Sequence, residues 1–391
     1  LENKKVKEMY LSSEINRGSP SERAYWFAWS RIPRVGPVLL QRLQQHFGSL
    51  ERAWQALPLE LAQVDGIGSN GLETIERHRS RLNPTQVLAQ HEQANPDFWT
   101  PADPDYPRLL LEIPNFPVPL YYRGAVKSWE TQGMAPSIGI VGTRDPSDYG
   151  RRWTRRLTMA LADRGFTIVS GLADGIDTES HRACLERGGR TIAVMGTGVD
   201  VVYPQRNRDL YQQIVDTGLI LSEYPKGTQP DRIHFPQRNR IIAGLCRAVL
   251  VMEAPKKSGA LITAQLANDY NREVYILPGS LDNPRSRGCL ELLSQGAQAI
   301  LDEDHLLELL GAIPALDSDS THPQPPSPTV PPPNLDPQLA QVLQILSEEA
   351  LSLDFIVDKS QLPAPIVSGA LLQLELMALV TQLPGMRYQR C

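Results

Sequence analysis

The chain has 391 residues, 41% hydrophobic and 21% charged, enough for about two or three domains with packed cores, which excludes a globally disordered chain. Its 39 Lys and Arg against 44 Asp and Glu give a formal charge of −5, so it is no histone-like polycation, and any nucleic-acid site must be a local basic patch. The 4 cysteines stand far apart with no CxxC pair, which argues against a zinc ribbon or a disulfide framework and for reduced thiols in the cytoplasm.

No apolar run reaches the ~18–20 residues of a membrane span, so no membrane partner is expected. Residues 1–19 are polar, with Lys4, Lys5 and Lys7 and no apolar centre. They do not read as a signal peptide and are expected to be disordered. Residues 20–97 read as a helical domain, with helices over Ala24–Trp29, Val38–Phe47, Leu50–Leu57, Leu72–His78 and Pro84–Gln93. Between them Val64-Asp65-Gly66-Ile67-Gly68-Ser69 fits a helix-hairpin-helix turn. Ile32-Pro33-Arg34-Val35-Gly36-Pro37 is a second copy, with Arg34 where the first Gly should stand. Such turns can offer backbone N–H groups to a phosphate, or simply pack, and both readings are open.

Residues 98–312 alternate apolar runs with helical stretches such as Trp153–Arg164 and Thr178–Arg187. The runs Ser137–Val141, Thr167–Val169, Thr191–Met195, Leu219–Ser222, Ala248–Met252 and Glu273–Leu277 predict buried strands of a mostly parallel, doubly wound sheet. Their carboxyl ends, where such sheets bind ligands, are rich in Gly and Ser. They include Gly142-Thr143-Arg144, Ser170-Gly171, Gly196-Thr197-Gly198 and Ser258-Gly259. That chemistry suits phosphate. Neither a complete GxGxxG after the first strand nor a Walker A run occurs, so NAD and ATP are disfavoured and no cofactor is expected. Arg144, Arg151, Arg152, Arg232, Arg238, Arg240, Lys256 and Lys257 gather at the same ends, which fits a polyanionic backbone. The run Arg232–Arg240 sets Phe235 among basic residues. The ring could stack an unpaired base or pack inward.

Residues 313–335 are dominated by Pro, Ser, Asp and Thr and read as a semi-rigid linker. Residues 336–391 predict three helices and a hairpin, a winged helix. Its charge is net negative, which favours a protein-contact or regulatory role, with weak DNA contact at most.

Taken in order, these motifs resemble the bacterial DprA (Smf) DNA-processing family. The resemblance runs through Tyr106-Pro107, Val141–Arg144, Ser170–Asp177 with His181, Gly188–Thr191, Gly198 to Tyr203-Pro204, Ser222–Pro225, Phe235–Arg240, Ser258–Ala264 and Pro278-Gly279. It implies a single-stranded DNA-binding protein of natural transformation that loads the RecA recombinase, works as a homodimer and needs no nucleotide. It also implies roles. Gly142, Thr143 and Arg144 would bind phosphate, with the neighbouring loop of Ser170 and Gly171. Arg232 would be a basic contact and Phe235 the stacking ring. Arg238 and Arg240 would shape the pocket, Ser258 and Gly259 would donate hydrogen bonds, and Lys256 joins them from the basic set. The fold expected is an extended Rossmann-like α/β domain between a helix-hairpin-helix (SAM-like) front domain and a winged helix.

A rival reading is a nucleotide or sugar-phosphate hydrolase using Glu223 or Glu253 at a strand end, but Pro278-Gly279-Ser280-Leu281 breaks the motif of such enzymes, and no catalytic residue is assigned. Asp177 and His181 share a helix face and could form a metal or acid–base pair, though a structural role is favoured.

Overall fold

The computed structural model describes residues 20–134, 136–311, 336–346, 351–360, 362–376, 379–383 and 387–390. The expectations for residues 1–19 and the linker 313–335 lie outside the described residues. The chain divides into two compact units, residues 1–318 and 319–391.

The first unit begins with six helices: α1 (Pro20–Ser30), α2 (Pro37–Phe47), α3 (Leu50–Gln55), α4 (Pro58–Leu61), α5 (Ser69–Arg79) and α6 (Pro84–Ala94). The expected Leu50–Leu57 helix stops at Gln55 because Pro58 forces Leu57 out of helical geometry, to φ −70° and ψ 154°. The two hairpin turns are conformational twins. Arg34 (φ 70°) and Gly66 (φ 95°) both adopt left-handed backbone, and Gly36 and Gly68 both start the next helix from extended geometry. Ile32 and Val35 are buried in the first turn as Val64 and Ile67 are in the second. At Arg34 a side chain bears the left-handed geometry that glycine meets without strain at position 66.

A nine-stranded sheet follows, in the order β1-β2-β6-β5-β4-β3-β7-β8-β9. Its strands are β1 (Phe98–Trp99), β2 (Leu120–Gly124), β3 (Ser137–Val141), β4 (Thr167–Ser170), β5 (Thr191–Met195), β6 (Leu219–Ser222), β7 (Ala248–Val251), β8 (Glu273–Ile276) and β9 (Gln298–Ala299). The six runs read as strands are β3 to β8, within one residue at either end. The sheet is parallel from β6 to β9, while β2 joins β6 antiparallel and carries β1 at the edge. The strands β1, β2 and β9 were not expected: β1 and β9 are two-residue edge strands, and β2 carries only Leu120, Tyr121 and Tyr122 before Arg123 and Gly124, too short an apolar run to stand out.

Between the strands run α7 (Ser128–Thr131), α8 (Asp148–Asp163), α9 (Ile176–Glu186), α10 (Arg208–Thr217), α11 (His234–Leu245), α12 (Gly259–Asp269) and α13 (Arg287–Ser294), and α14 (Glu303–Leu310) follows β9. Strand alternation sorts the core. Ile138, Ile140 and Leu250 pack with Leu157 and Leu161 of α8 on one face. Val141, Val249 and Val251 pack with Ile241 and Ile242 of α11 and Ala260 and Ala264 of α12 on the other. That second core continues into Trp26, Trp29 and Leu40 of the front helices.

In the second unit α15 (Pro337–Ile345), α16 (Leu353–Ser360) and α17 (Ala364–Leu376) accompany β10 (Leu351–Ser352), β11 (Val380–Leu383) and β12 (Arg387–Arg390), paired antiparallel as β10-β12-β11. Val342, Leu343, Ile356, Val367, Leu371, Leu374 and Val380 form its core. This is the expected winged helix. Among the described residues no helix is long and apolar enough to cross a membrane.

Candidate nucleic-acid interface

The winding of the sheet reverses at β3: β4 to β6 follow on one side of it, β7 to β9 on the other. At such a switch point the flanking loops leave in opposite directions and open a crevice at the strand ends. A cleft of about 660 Å³ lies there. Gly142, Thr143 and Arg144 line it from β3, Arg232, Phe235 and Arg238 from the start of α11, and Ser258 and Gly259 from the start of α12. These eight expected site residues, spread over more than a hundred positions, are brought together.

The 142–144 loop is held from both sides. Thr143 N donates to Glu253 O at 2.7 Å, and Ile176 N donates to Thr143 O at 3.1 Å. A Cβ at Gly142 would fall 2.5 Å from Ile176 Cγ1 and 2.9 Å from Glu253 O, so only glycine lets the backbones approach. Gly142→Ala is therefore expected to destabilise the chain by ~1–3 kcal/mol through overpacking. A thermal unfolding midpoint equal to wild type would refute that reading.

At the mouth Arg144 is exposed, and its guanidinium carbon lies 5.6 Å from the centre of the Phe235 ring. Tyr203, 40% exposed, packs on the same ring at 5.5 Å between centroids. Phe235 is half-buried and rests against Gly196, where a Cβ would fall 2.9 Å from its Cδ1. It lines the cleft instead of packing inward. Two aromatic rings and a cation thus share one opening, an arrangement that can hold a flat π face beside an anion.

Below them lies a buried charge. Arg238 is 4% exposed, and its Nη1 donates to Val194 O. A Cβ at Gly171 would overlap the guanidinium, so glycine there makes room for arginine. Burial pushes Arg238 down to about 10, Asp177 pulling it up and Arg144 down, so it stays cationic at neutral pH. Burial likewise raises Asp177, against the pull of Arg238 and of hydrogen bonds from Gly171 N (3.1 Å) and Ala173 N (3.4 Å). His181 is fully buried and pushed down to about 3, first by burial and then by Arg238. Thr191 Oγ1 donates to Ile168 O at 2.8 Å, so it accepts from His181 Nδ1 at 2.7 Å. The imidazole is neutral, with Nε2 buried and unpartnered. Asp177 and His181 thus support the loops and the helix beneath the cleft. Among the described residues no group of three or more potential metal ligands occurs.

Four expected residues do not line the cleft. Ser170 Oγ donates to Ile140 O at 2.6 Å within the sheet, and Gly171 accommodates Arg238. Arg240 grips Glu223 at 2.6 and 2.8 Å and donates through Nε to Asn115 O at 2.7 Å. Lys256 Nζ lies 2.6 Å from Glu291. Glu253, 1% exposed, accepts from Ser147 N at 2.8 Å and from Ser147 Oγ at 2.6 Å. Tyr203, Asp177 and Asn239 do line the cleft, although none was assigned a binding role from sequence. For Asn239 the signal was available, since it stands four residues after Phe235 and so shares its helix face.

The family model described as "DNA recombination-mediator protein A" matches residues 97–311, and that of the "DprA winged helix domain" matches residues 325–386. Protein Smf of Synechocystis is 53% identical over 394 residues, covering 95% of this chain and 99% of that protein. The DNA processing protein DprA of Streptococcus pneumoniae is 43% identical over 220 residues, covering 56% of this chain and 76% of that protein. The X-ray structure of DNA processing protein A from the same organism aligns with a TM-score of 0.62 at 34% identity, over 74% of this chain and 98% of that one.

Proposed function

The chain belongs to the DNA recombination-mediator protein A family, and from that premise we propose that it binds single-stranded DNA in the switch-point cleft. The observation that carries the proposal is the cation and the two rings at one mouth, Arg144, Phe235 and Tyr203. Arg144 and Arg232 hold phosphates, with donors from Gly142, Thr143 and the Ser258-Gly259 start of α12. Phe235 stacks an unpaired base. Arg238 adds a fixed positive field from below. RecA loading during natural transformation, a homodimer and a cytoplasmic setting belong to the same proposal and rest on the family resemblance.

The proposed protein binds without catalysing a reaction. The strand-end carboxylates that a hydrolase would use are engaged, Glu253 by Ser147 and Glu223 by Arg240. Release of free base from nucleoside monophosphates would revive the hydrolase reading.

Fluorescence anisotropy with labelled oligo-dT over a salt series tests the proposal. Arg144→Ala is expected to weaken binding and flatten the salt dependence by ~0.7 per lost phosphate contact. Phe235→Ala is expected to cost ~1–3 kcal/mol with the salt slope unchanged. Binding that neither substitution alters would remove the cleft from the DNA interface.

A further inference from the structure

Phe235, Asn239 and Ile242 occupy positions i, i+4 and i+7 of α11 and line the cleft as one stripe. Ala260 and Thr263 face it from α12. Asn239 is only 9% exposed, and it is the polar side chain between Phe235 and Ile242 in this stripe. Its Nδ2 donates to Gly259 O at 3.2 Å. A carbonyl can only accept, so this bond sets the orientation of the amide. Oδ1 takes no hydrogen bond from the described residues, so Asn239, which lines the cleft, keeps an open acceptor beside its second N–H.

We propose that Asn239 reads the edge of the base that stacks on Phe235, an inference that rests on the DNA-binding reading above. Four residues of helix separate the two side chains by ~6 Å along the axis, a distance that a base lying on Phe235 can span. The ligand is an unpaired nucleobase, entering between α11 and α12 with an N–H on its pairing edge, such as thymine N3–H. In a duplex that N–H is committed to the complementary base. Phosphate contacts carry no such information, because both forms present phosphates. Asn239 is therefore the specificity-determining residue, and selection for single strands arises from its amide oxygen.

Two strands of equal length separate this role from general binding: oligo-dT, and oligo-dT methylated at N3 of every base. They share phosphates and ring faces and differ at the donor edge. At fixed salt, wild type is expected to bind the methylated strand about tenfold more weakly, the worth of one such hydrogen bond. Asn239→Ala is expected to bind both strands alike. Equal wild-type affinity for the two strands would overturn the inference and leave the DNA-binding proposal standing. Full discrimination retained by a folded Asn239→Ala would overturn it too. If wild type binds neither strand, the DNA-binding reading itself fails. Should Asn239→Ala not fold, the wild-type comparison of the two strands decides alone.

Discussion

Arg238→Leu should unfold on the order of 3 kcal/mol more easily than wild type, although no DNA is present in the measurement. The guanidinium is buried, and Asp177 is the counter-charge that favours its cationic form. Leucine would leave the buried Asp177 carboxylate with the backbone donors Gly171 N and Ala173 N but no cation to stabilise it. It would also strip Val194 O of its guanidinium donor. Two further variants identify the cause. Adding Asp177→Asn should restore part of the loss, because the stranded charge goes with it. Adding Gly171→Ala should cost less in the Arg238→Leu background than in wild type, because the overlap it creates is with the guanidinium. Denaturant midpoints of the five chains (wild type, Arg238→Leu, Gly171→Ala and the two double variants) provide the test. Simple additivity of Gly171→Ala and Arg238→Leu would show that the two residues do not share the space assigned to them.

Acid should destabilise the same region through His181. Burial holds its pKa in the fold at about 3, against an ordinary value of 6.5. Below about pH 6.5 the unfolded chain takes up a proton that the native chain cannot. This contribution is therefore intact above about pH 6.5 and is lost as pH falls towards 3. The slope is ~1.4 kcal/mol per pH unit, on the order of 5 kcal/mol across the window. Asp177, raised by burial, works in the opposite sense in the acid range, since its native form holds a proton more readily than the unfolded one. His181→Leu removes the titrating group at the cost of the bond to Thr191. Its stability between pH 7.5 and 5 should therefore be flatter than that of wild type by one proton. Parallel curves for the two chains would mean that His181 takes up its proton in the fold as readily as in the unfolded chain.

Sequence by itself determined the six central strands and the winged helix. Buried parallel strands must be continuous apolar runs, and Ser137–Val141, Thr191–Met195 and Leu219–Ser222 are bounded by the same residues in sequence and in structure. Strand ends at a switch point must also be where loops open, which puts Gly142, Arg144 and Gly259 at such ends, whereas Phe235 could stack or pack inward and takes its role in the sequence only from the family resemblance. Sequence could not determine which basic residues remain available. Arg144 and Arg240 look alike in the chain, but Arg240 is committed to Glu223, and Lys256 to Glu291. Those partners are set by how separate elements pack. Gly171 shows the same limit, because a Gly beside a strand end signals close approach without saying what approaches. In this fold it is the guanidinium of Arg238, reaching across from α11, and only the tertiary structure brings the two together.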